Sequence, residues 1–278
     1  MRNTLIFAPR AAGLWLFVPF LFFFALAASP AGASPLNPDH EPWARLLEAY
    51  LVEGGDGEPN RFDYGALKAD SEDRAALAAY IASLEAVDPA ALSRDDAFAF
   101  WVNLYNALTV EVVVRHYPVA SIRDIGISPG LFSVGPWGKK LVTVSGRELS
   151  LDDIEHGILR ADFGDNRVHY AVNCASVGCP DLAPVPYDGE NLDPMLDEAA
   201  RTYVNSPRGA RVEDGRLVVS SIFKWYMKDF GGTEEGVIAE LRKYAASDLA
   251  GTLEEVSGIS SYEYDWSLND AAEPEKRK

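Results

Sequence analysis

Apolar residues recur at helical intervals in three stretches of the first half of the chain. The first runs over residues 41–51 and ends at a glycine-rich segment, which predicts an amphipathic helix. The second, over residues 72–87, is rich in Ala and Leu and predicts another helix. The third begins at Ser93, a favourable N-cap with Asp96 at the capping-box position, and stops at Pro118. It is the longest and most apolar stretch, so we expect this helix to be buried.

The pattern then becomes irregular before it alternates. Residues 121–140 are rich in Gly and Pro and predict a long irregular loop. Residues 140–146 alternate like a strand and end in a glycine turn. Residues 150–160 predict a short helix that is capped by Ser150, with Asp153 at the capping-box position.

A second alternating stretch, residues 167–173, predicts a strand. Its period of two places Val168 on one face and His169 and Asn173 on the other. Cys174 then lies just beyond the carboxyl end of the strand, a common position for reactive groups in sheet proteins.

The remaining third of the chain predicts a helix, a hairpin, a second helix, a late strand and a polar tail. The hairpin carries Asp214-Gly215 between two alternating runs, which is the strongest turn signal in the chain. In chain order these elements cover residues 193–206, 210–220, 233–245, 260–269 and 270–278.

The order of these elements predicts the fold class. Three helices precede any strand, and strands do not alternate regularly with helices. We therefore predict an α+β protein in which a helical layer packs on a small, mainly antiparallel sheet. We expect one domain over residues 34–269, followed by a disordered polar tail over residues 270–278.

Residues 1–33 have the pattern of a secretory signal peptide. Arg2 and Arg10 precede and flank the start of an apolar run over residues 14–28, and the small-residue stretch 31–33 follows it. The run is shorter than the roughly 20 residues that a membrane-spanning helix needs. We expect cleavage, a periplasmic or extracellular location and no membrane span in the mature chain, with an uncleaved anchor as the alternative.

The charge of the chain narrows the choice of partners. A formal net charge of −17 disfavours nucleic acid and anionic lipid, because both bind through clustered Lys and Arg. We expect a small molecule or a peptide as the partner and no cofactor. The sequence leaves the oligomeric state open.

A polar stripe interrupts the predicted buried helix. Asn103, Asn106 and Thr109 lie three residues apart and share one face. A buried carboxamide without a partner costs about 1–3 kcal/mol, so the stripe must meet polar groups. One interpretation is that it holds loop backbone, with the glycine-rich loop after Pro118 as the expected partner. The other is that it lines a cleft and donates hydrogen bonds there.

Two adjacent residues of the short helix, Glu155 and His156, form a candidate acid–base pair. Asp152 precedes His156 by four residues, a spacing that lets a carboxylate hold the imidazole on an α-helix. Such a pair is either an ordinary surface ion pair or a catalytic base next to a nucleophile.

Cys174 and Cys179 are the two cysteines of the chain. Cys174 could act as a nucleophile with His156 or His169 as its base, and His156 is the better candidate because His169 alternates to the other face of the predicted strand. In an oxidising compartment the two cysteines could instead form a structural disulfide.

Two further interpretations of the cysteines are weaker. A zinc site of Cys174, Cys179, His156 and His169 has suitable ligand types, but the spacing is not a recognised zinc pattern. A redox dithiol normally has two intervening residues and opens a helix, which Gly178 and its neighbouring proline discourage.

Aromatic residues cluster over residues 221–232, where Phe223, Trp225, Tyr226 and Phe230 lie close together. Aromatics at this density usually form core or a lid over core, and the alternative is the wall of a binding groove.

Six segments in this order resemble the domain-of-unknown-function family 547, in particular its exported bacterial members. They are "FWVNLYNALTV", "SIRDIG", "LSLDDIEHGILR", "HYAVNCASVGCPDL", "IFKWYMKDF" and "YDWSLN", and the resemblance spans about residues 43–269. It implies one domain and no specific activity. The positions that match the family pattern are Asn103, Asn106, Glu155, His156, His169, Cys174, Cys179 and Pro180.

These residues lead to two hypotheses for the function. The first is thiol-dependent acyl transfer or amide hydrolysis in a cleft, with Cys174 as nucleophile, His156 as general base and Glu155 or Asp152 as its orienting group. Asn103 or Asn106 would polarise the substrate, with His169 and Cys179 nearby. The alternative is a non-catalytic extracytoplasmic binding or structural module with a Cys174–Cys179 disulfide.

Overall fold

The computed structural model describes residues 38–55, 57–130 and 133–272, and helices dominate this part of the chain. The α-helices are α1 Glu41–Tyr50, α2 Tyr64–Ala69, α3 Ser71–Glu85, α4 Arg94–His116, α5 Val168–Ala171, α6 Leu192–Val204, α7 Ser221–Trp225, α8 Glu234–Tyr244 and α9 Ser247–Leu253. A π-helix covers Asp153–Phe163, and short 3₁₀ turns cover Pro89–Ala91, Ile122–Asp124 and Met227–Phe230. The strands are β1 Leu51–Val52, β2 Arg61–Phe62, β3 Val142–Val144, β4 Arg147–Leu149, β5 Ala210–Glu213, β6 Arg216–Ser220 and β7 Ile259–Glu263.

Helix α4 forms the centre of the larger core. Every side chain from Ala97 to Val110 is buried, and α2 and α3 pack against it. The predicted cap is confirmed, because the Ser93 hydroxyl accepts a hydrogen bond from the Asp96 N–H at 3.2 Å. Within the described residues, α4 is the helix long and apolar enough to cross a membrane, but 94% of its most apolar window is buried inside the protein.

The strands form three small sheets rather than one. The pairs β1–β2 and β3–β4 are antiparallel, and the third sheet has the order β5-β6-β7 with β6 and β7 parallel. The predicted hairpin is confirmed, since Asp214 and Gly215 both have positive φ (51° and 71°), as a type I′ turn requires. The α+β class is therefore confirmed, and the single predicted sheet is corrected to three small ones.

The predicted strand over residues 167–173 is wrong. Val168–Ala171 is one helical turn, α5, and the Val172 N–H closes it on the Val168 carbonyl at 3.1 Å. All four side chains of α5 are buried, so the apparent alternation does not separate a buried face from an exposed one. His169 therefore reaches the interior from a helix, not from a strand.

The helix after Ser150 is confirmed, but its hydrogen bonding is not α-helical. The Ser150 hydroxyl and the Asp153 carboxylate cap each other's backbone N–H groups as predicted. From Asp153 to Phe163 the chain is a π-helix, which has i→i+5 hydrogen bonds and a wider turn than an α-helix. Side chains four residues apart are therefore no longer stacked directly above each other.

The two predicted terminal segments fall largely outside the described residues. The predicted signal peptide, residues 1–33, lies outside them, and so do residues 273–278 of the predicted tail. The ordered chain continues slightly beyond the predicted domain end, because Ala271 donates a backbone hydrogen bond to Phe62 at 3.1 Å.

Candidate functional site

A cavity of about 450 Å³ lies where α4, the π-helix, α5, the loop after α5, α7 and the C-terminal segment meet. This volume is within the usual range for small-molecule sites. Most of the residues singled out in the sequence line it, namely Asp152, Glu155, His156, His169, Cys174 and Cys179. Asn103 and Asn106 do not.

The loop that carries Cys174 is held in an unusual conformation. Ala175 has a φ of +58°, which costs energy for a residue with a Cβ, and its N–H is held by the Asn173 side chain at 2.8 Å. Gly178 lies against the C-terminal segment, where a Cβ would come within 2.7 Å of the Asp265 nitrogen. The loop therefore depends on a glycine at 178 and on the packing of residues 265–269.

Three groups that can donate a hydrogen bond surround the sulfur of the partly exposed Cys174, namely two hydroxyls and the Cys179 thiol. The Ser176 hydroxyl is 3.2 Å from the Cys174 sulfur and the Tyr264 hydroxyl 3.1 Å. Burial alone would raise the pKa of Cys174, but hydrogen bonds from the Cys179 thiol and these two hydroxyls outweigh it and hold that pKa below the ordinary thiol value. These contacts favour a thiolate at Cys174.

Cys179 is the complementary, protonated partner. Burial and the contact with Cys174 raise the pKa of Cys179 well above its usual value. Its sulfur accepts the Cys174 backbone N–H at 2.9 Å, and both cysteines are free thiols in the structure. Within the described residues, no three His, Cys, Asp or Glu side chains converge as a metal site, so the zinc interpretation finds no support.

The carboxamides of α4 hold backbone, as one of the two interpretations expected, but the partner is not the glycine-rich loop. Asn106 donates to the Ala171 carbonyl at 3.0 Å and accepts from the Asn173 N–H at 2.8 Å. Asn103 makes the same two-way contact with the backbone of Tyr187, at 2.8 and 3.0 Å. Both amides are therefore engaged away from the cavity, and neither is placed to polarise a substrate there. Asn106 instead holds the backbone before Cys174, and Asn103 holds the backbone at Tyr187.

His156 lies at the cavity wall with 40% of its side chain exposed, but it is not set up as predicted. Its Nε2 is 3.8 Å from Asp152 and its Nδ1 is 3.7 Å from Glu155, and both distances are beyond hydrogen-bond length. Arg160 Nη1 of the same helix lies 3.3 Å from Nδ1. Within the described residues, neither His156 nor His169 hydrogen-bonds to the Cys174 sulfur.

His169 is fixed by a pairing that the sequence analysis missed. Its side chain is 1% exposed, its Nε2 lies 2.7 Å from Asp229, and its ring stacks on Tyr226 with centroids 4.0 Å apart. Arg160 holds the same carboxylate through two hydrogen bonds of 2.6 and 3.0 Å. Asp229 is the single acidic residue of the aromatic segment 221–232, which is the signal that could have identified it.

The Asp229 pairing predicts a pH-dependent contribution to stability. The hydrogen bond from His169, followed by that from Arg160, lowers the pKa of Asp229 against the opposing effect of burial. A lowered folded-state pKa stabilises the fold above the ordinary carboxyl pKa of about 4, and this contribution is lost progressively as pH falls from that value through the lowered pKa. Asp229→Asn should therefore reduce the free energy of unfolding by about 1–3 kcal/mol at pH 7, and by clearly less at about pH 2.5.

Urea unfolding of both proteins at the two pH values measures this difference. Asp214→Asn is the matched control, because that carboxylate is 91% exposed and its turn tolerates Asn. A pH-independent difference for Asp229→Asn would contradict the prediction.

Other residues of the site also escaped the sequence analysis. Tyr105 of α4 donates to the buried Glu155 at 3.1 Å, and Tyr264 bridges Cys174 and Ser176 from a segment about 90 residues further along the chain. Trp225 and Tyr226 line the cavity, as the groove-wall interpretation of the aromatic segment expected. The aromatic residues of "SSYEYDWSLN" indicate that Tyr264 could belong to a site, but the sequence does not show that it contacts Cys174.

The fold and cavity define a single-domain α+β protein with a free cysteine in an aromatic-walled cleft. Residues 89–204 match the family described as "Protein of unknown function, DUF547". The match is shorter than the stretch of resemblance in the sequence; it includes Cys174, Cys179, His156 and His169 but ends before Asp229 and Tyr264. Neither the curated proteins nor the solved structures contain a significant match to the chain.

Proposed function

We propose that the cavity performs thiol-dependent acyl transfer or amide hydrolysis, with Cys174 as the nucleophile. The single observation that carries the proposal is the environment of the Cys174 sulfur. It lies in a cavity wall, on a strained loop, with three donors that stabilise its thiolate. Purely structural cysteines are normally buried, and burial raises the thiol pKa, as it does for Cys179.

The proposed reaction has two steps. The Cys174 thiolate attacks an acyl carbonyl, a C–S bond forms, the bond to the leaving group breaks, and a departing amine takes up a proton. Water or a second nucleophile then cleaves the thioester, which releases the acyl group and restores the thiol. We assign the proton transfers to His156, since it lines the cavity and is exposed enough to exchange protons with solvent.

The proposal includes export, which rests on the signal-like sequence of residues 1–33. An oxidising compartment would favour a disulfide between Cys174 and Cys179, and that disulfide would remove the nucleophile. The alternative, a non-catalytic binding module, has this disulfide as its resting state. Counting free thiols in protein purified without reductant separates the two, because the catalytic proposal requires two free thiols.

Alkylation by iodoacetamide tests the proposed nucleophile. Cys174 should react much faster than Cys179 at pH 7, with the midpoint of its pH–rate profile below that of a free thiol. Tyr264→Phe removes one hydrogen bond to the thiolate, which should raise that midpoint by about one unit and slow alkylation at pH 7 by about tenfold.

Tyr262→Phe is the matched control on the same segment, because its hydroxyl contacts the exposed Glu234 instead of the cavity. It should leave the profile of Cys174 unchanged. Slow and equal alkylation of the two cysteines in the wild type would overturn the proposal.

A further inference from the structure

Four aromatic rings form one side of the cavity and contact each other. We call Trp137, Trp225, Tyr264 and Trp266 the aromatic wall. Its ring centroids lie 4.6 Å apart for Tyr264–Trp266, 4.9 Å for Trp225–Tyr264 and 5.8 Å for Trp137–Trp266, at interplanar angles of 53°, 56° and 72°. Because the ring planes are tilted against each other, both faces and edges of these rings line the cavity.

Trp225 stands out within the aromatic wall because 48% of it is exposed. An exposed indole at the wall of a cavity is a typical ligand contact, since aromatic residues supply large contact areas at low entropic cost. Both neighbouring rings, Tyr264 and Trp266, are themselves only partly buried.

Two carboxylates also line the cavity. Glu155 is buried with its carboxylate at the cavity, and Asp152 lies one turn before it on the same helix. Within the described residues, no Lys or Arg lines the cavity, and the basic group nearest to these carboxylates is His156. Tyr105 donates a hydrogen bond to Glu155, but in the part of the chain that the structure describes no Lys or Arg lies within 4 Å of either carboxylate, so these carboxylates favour a positively charged ligand.

Two arginines contact aromatic rings that line the cavity, but neither arginine lines the cavity itself. Arg160 lies 4.8 Å from the centre of the Tyr226 ring, but Asp229 holds its guanidinium through two hydrogen bonds. Arg123 lies 5.2 Å from the centre of the Trp266 ring at the exposed surface. The second contact illustrates that a ring of the aromatic wall accepts a cation, which tryptophan does best among the aromatic residues.

We infer that the cavity binds a protonated primary amine between the aromatic wall and the Asp152–Glu155 carboxylates. Binding of the amine depends on the cavity alone. The identity of the substrate rests on the proposed function: the acyl compound that reacts with Cys174 would carry an alkylammonium group, as an amino acid or a peptide does.

Calorimetric titration of the wild-type protein with benzylamine and benzyl alcohol at pH 7 tests the inference. The two probes have nearly the same size, but benzylamine is protonated. Benzylamine should bind about tenfold more tightly, as expected for cation–π and carboxylate contacts in a partly desolvated site. Asp152→Asn should reduce this preference several-fold, and Trp225→Leu should weaken benzylamine binding. Half of the Asp152 side chain and nearly half of Trp225 are exposed, so both variants should fold.

Asp214→Asn, which removes an exposed carboxylate far along the chain, controls for the overall charge and should keep the full preference. Equal binding of both probes, binding of neither, or an equal loss in Asp214→Asn would overturn the inference. Its failure is distinguishable from that of the proposed function. Slow alkylation of Cys174 with an intact amine preference rejects the catalysis alone, whereas fast alkylation without the preference rejects the amine site alone.

Discussion

Cys174→Ser is expected to abolish the formation of an acyl-enzyme. With p-nitrophenyl acetate as the acyl donor, the wild type should release p-nitrophenol in a rapid burst and gain one acetyl group on residue 174. A serine hydroxyl is a far weaker nucleophile than a thiolate because it stays protonated near neutral pH, and within the described residues no histidine hydrogen-bonds to residue 174. The burst rate should therefore fall by about a thousandfold or more.

Cys179→Ser is the matched control for this experiment. It removes the other cysteine but leaves a hydroxyl donor beside the Cys174 sulfur, where Cys179 now contributes a hydrogen bond. Acetylation of residue 174, followed by intact mass and peptide mass, should persist in this variant. If Cys174→Ser keeps the burst, or if the acetyl group is found on another residue, Cys174 is not the nucleophile.

Asn106→Ala is expected to cause the largest loss of stability among substitutions near the site. The variant leaves the Ala171 carbonyl and the Asn173 N–H buried without their partners and opens a small cavity beside α4. Each orphaned buried group costs about 1–3 kcal/mol, so the free energy of unfolding should fall by about 2–5 kcal/mol. Because Asn173 also holds the strained Ala175, fast alkylation of Cys174 should be lost with it.

Urea unfolding and the alkylation rate of the folded protein measure the two effects. Thr109→Val is the matched control on the same face of α4, since it removes a buried hydroxyl that bonds only to the Tyr105 carbonyl of its own helix. It should cost less than about 1 kcal/mol and leave the alkylation rate unchanged. A similar loss of stability in both variants would mean that Asn106 is not a specific clamp.

The two proposals divide the site into parts with different tasks. Cys174 and its donors supply a nucleophile, the aromatic wall and the Asp152–Glu155 carboxylates supply recognition, and the Arg160–Asp229–His169 network holds one face of the cavity. His169 is thereby a positioned residue whose paired nitrogen is not available for catalysis. Proton transfer is accordingly assigned to the exposed His156.

Interactions between residues close in sequence were sufficient to predict where several elements begin and end. The N-cap at Ser93, the stop before Pro118, the capping pair of Ser150 and Asp153, and the Asp214-Gly215 turn all follow from interactions within a few residues. The order of the predicted helices and strands also indicated the α+β class. The sequence likewise singled out Cys174, Glu155, His156 and His169, which line one cavity.

Other features were decided only by tertiary structure. The segment 167–173 alternates in sequence, but Val168–Ala171 forms a helical turn whose side chains are all buried. The backbone partners of Asn103 and Asn106 lie 65 to 84 residues away along the chain. Tyr264 meets Cys174 across 90 residues, and Asp229 meets His169 across 60. The sequence by itself determined which residues are polar and where short elements begin and end. Packing decided which buried donor meets which acceptor, because each buried polar group must find a partner wherever the fold brings one within reach.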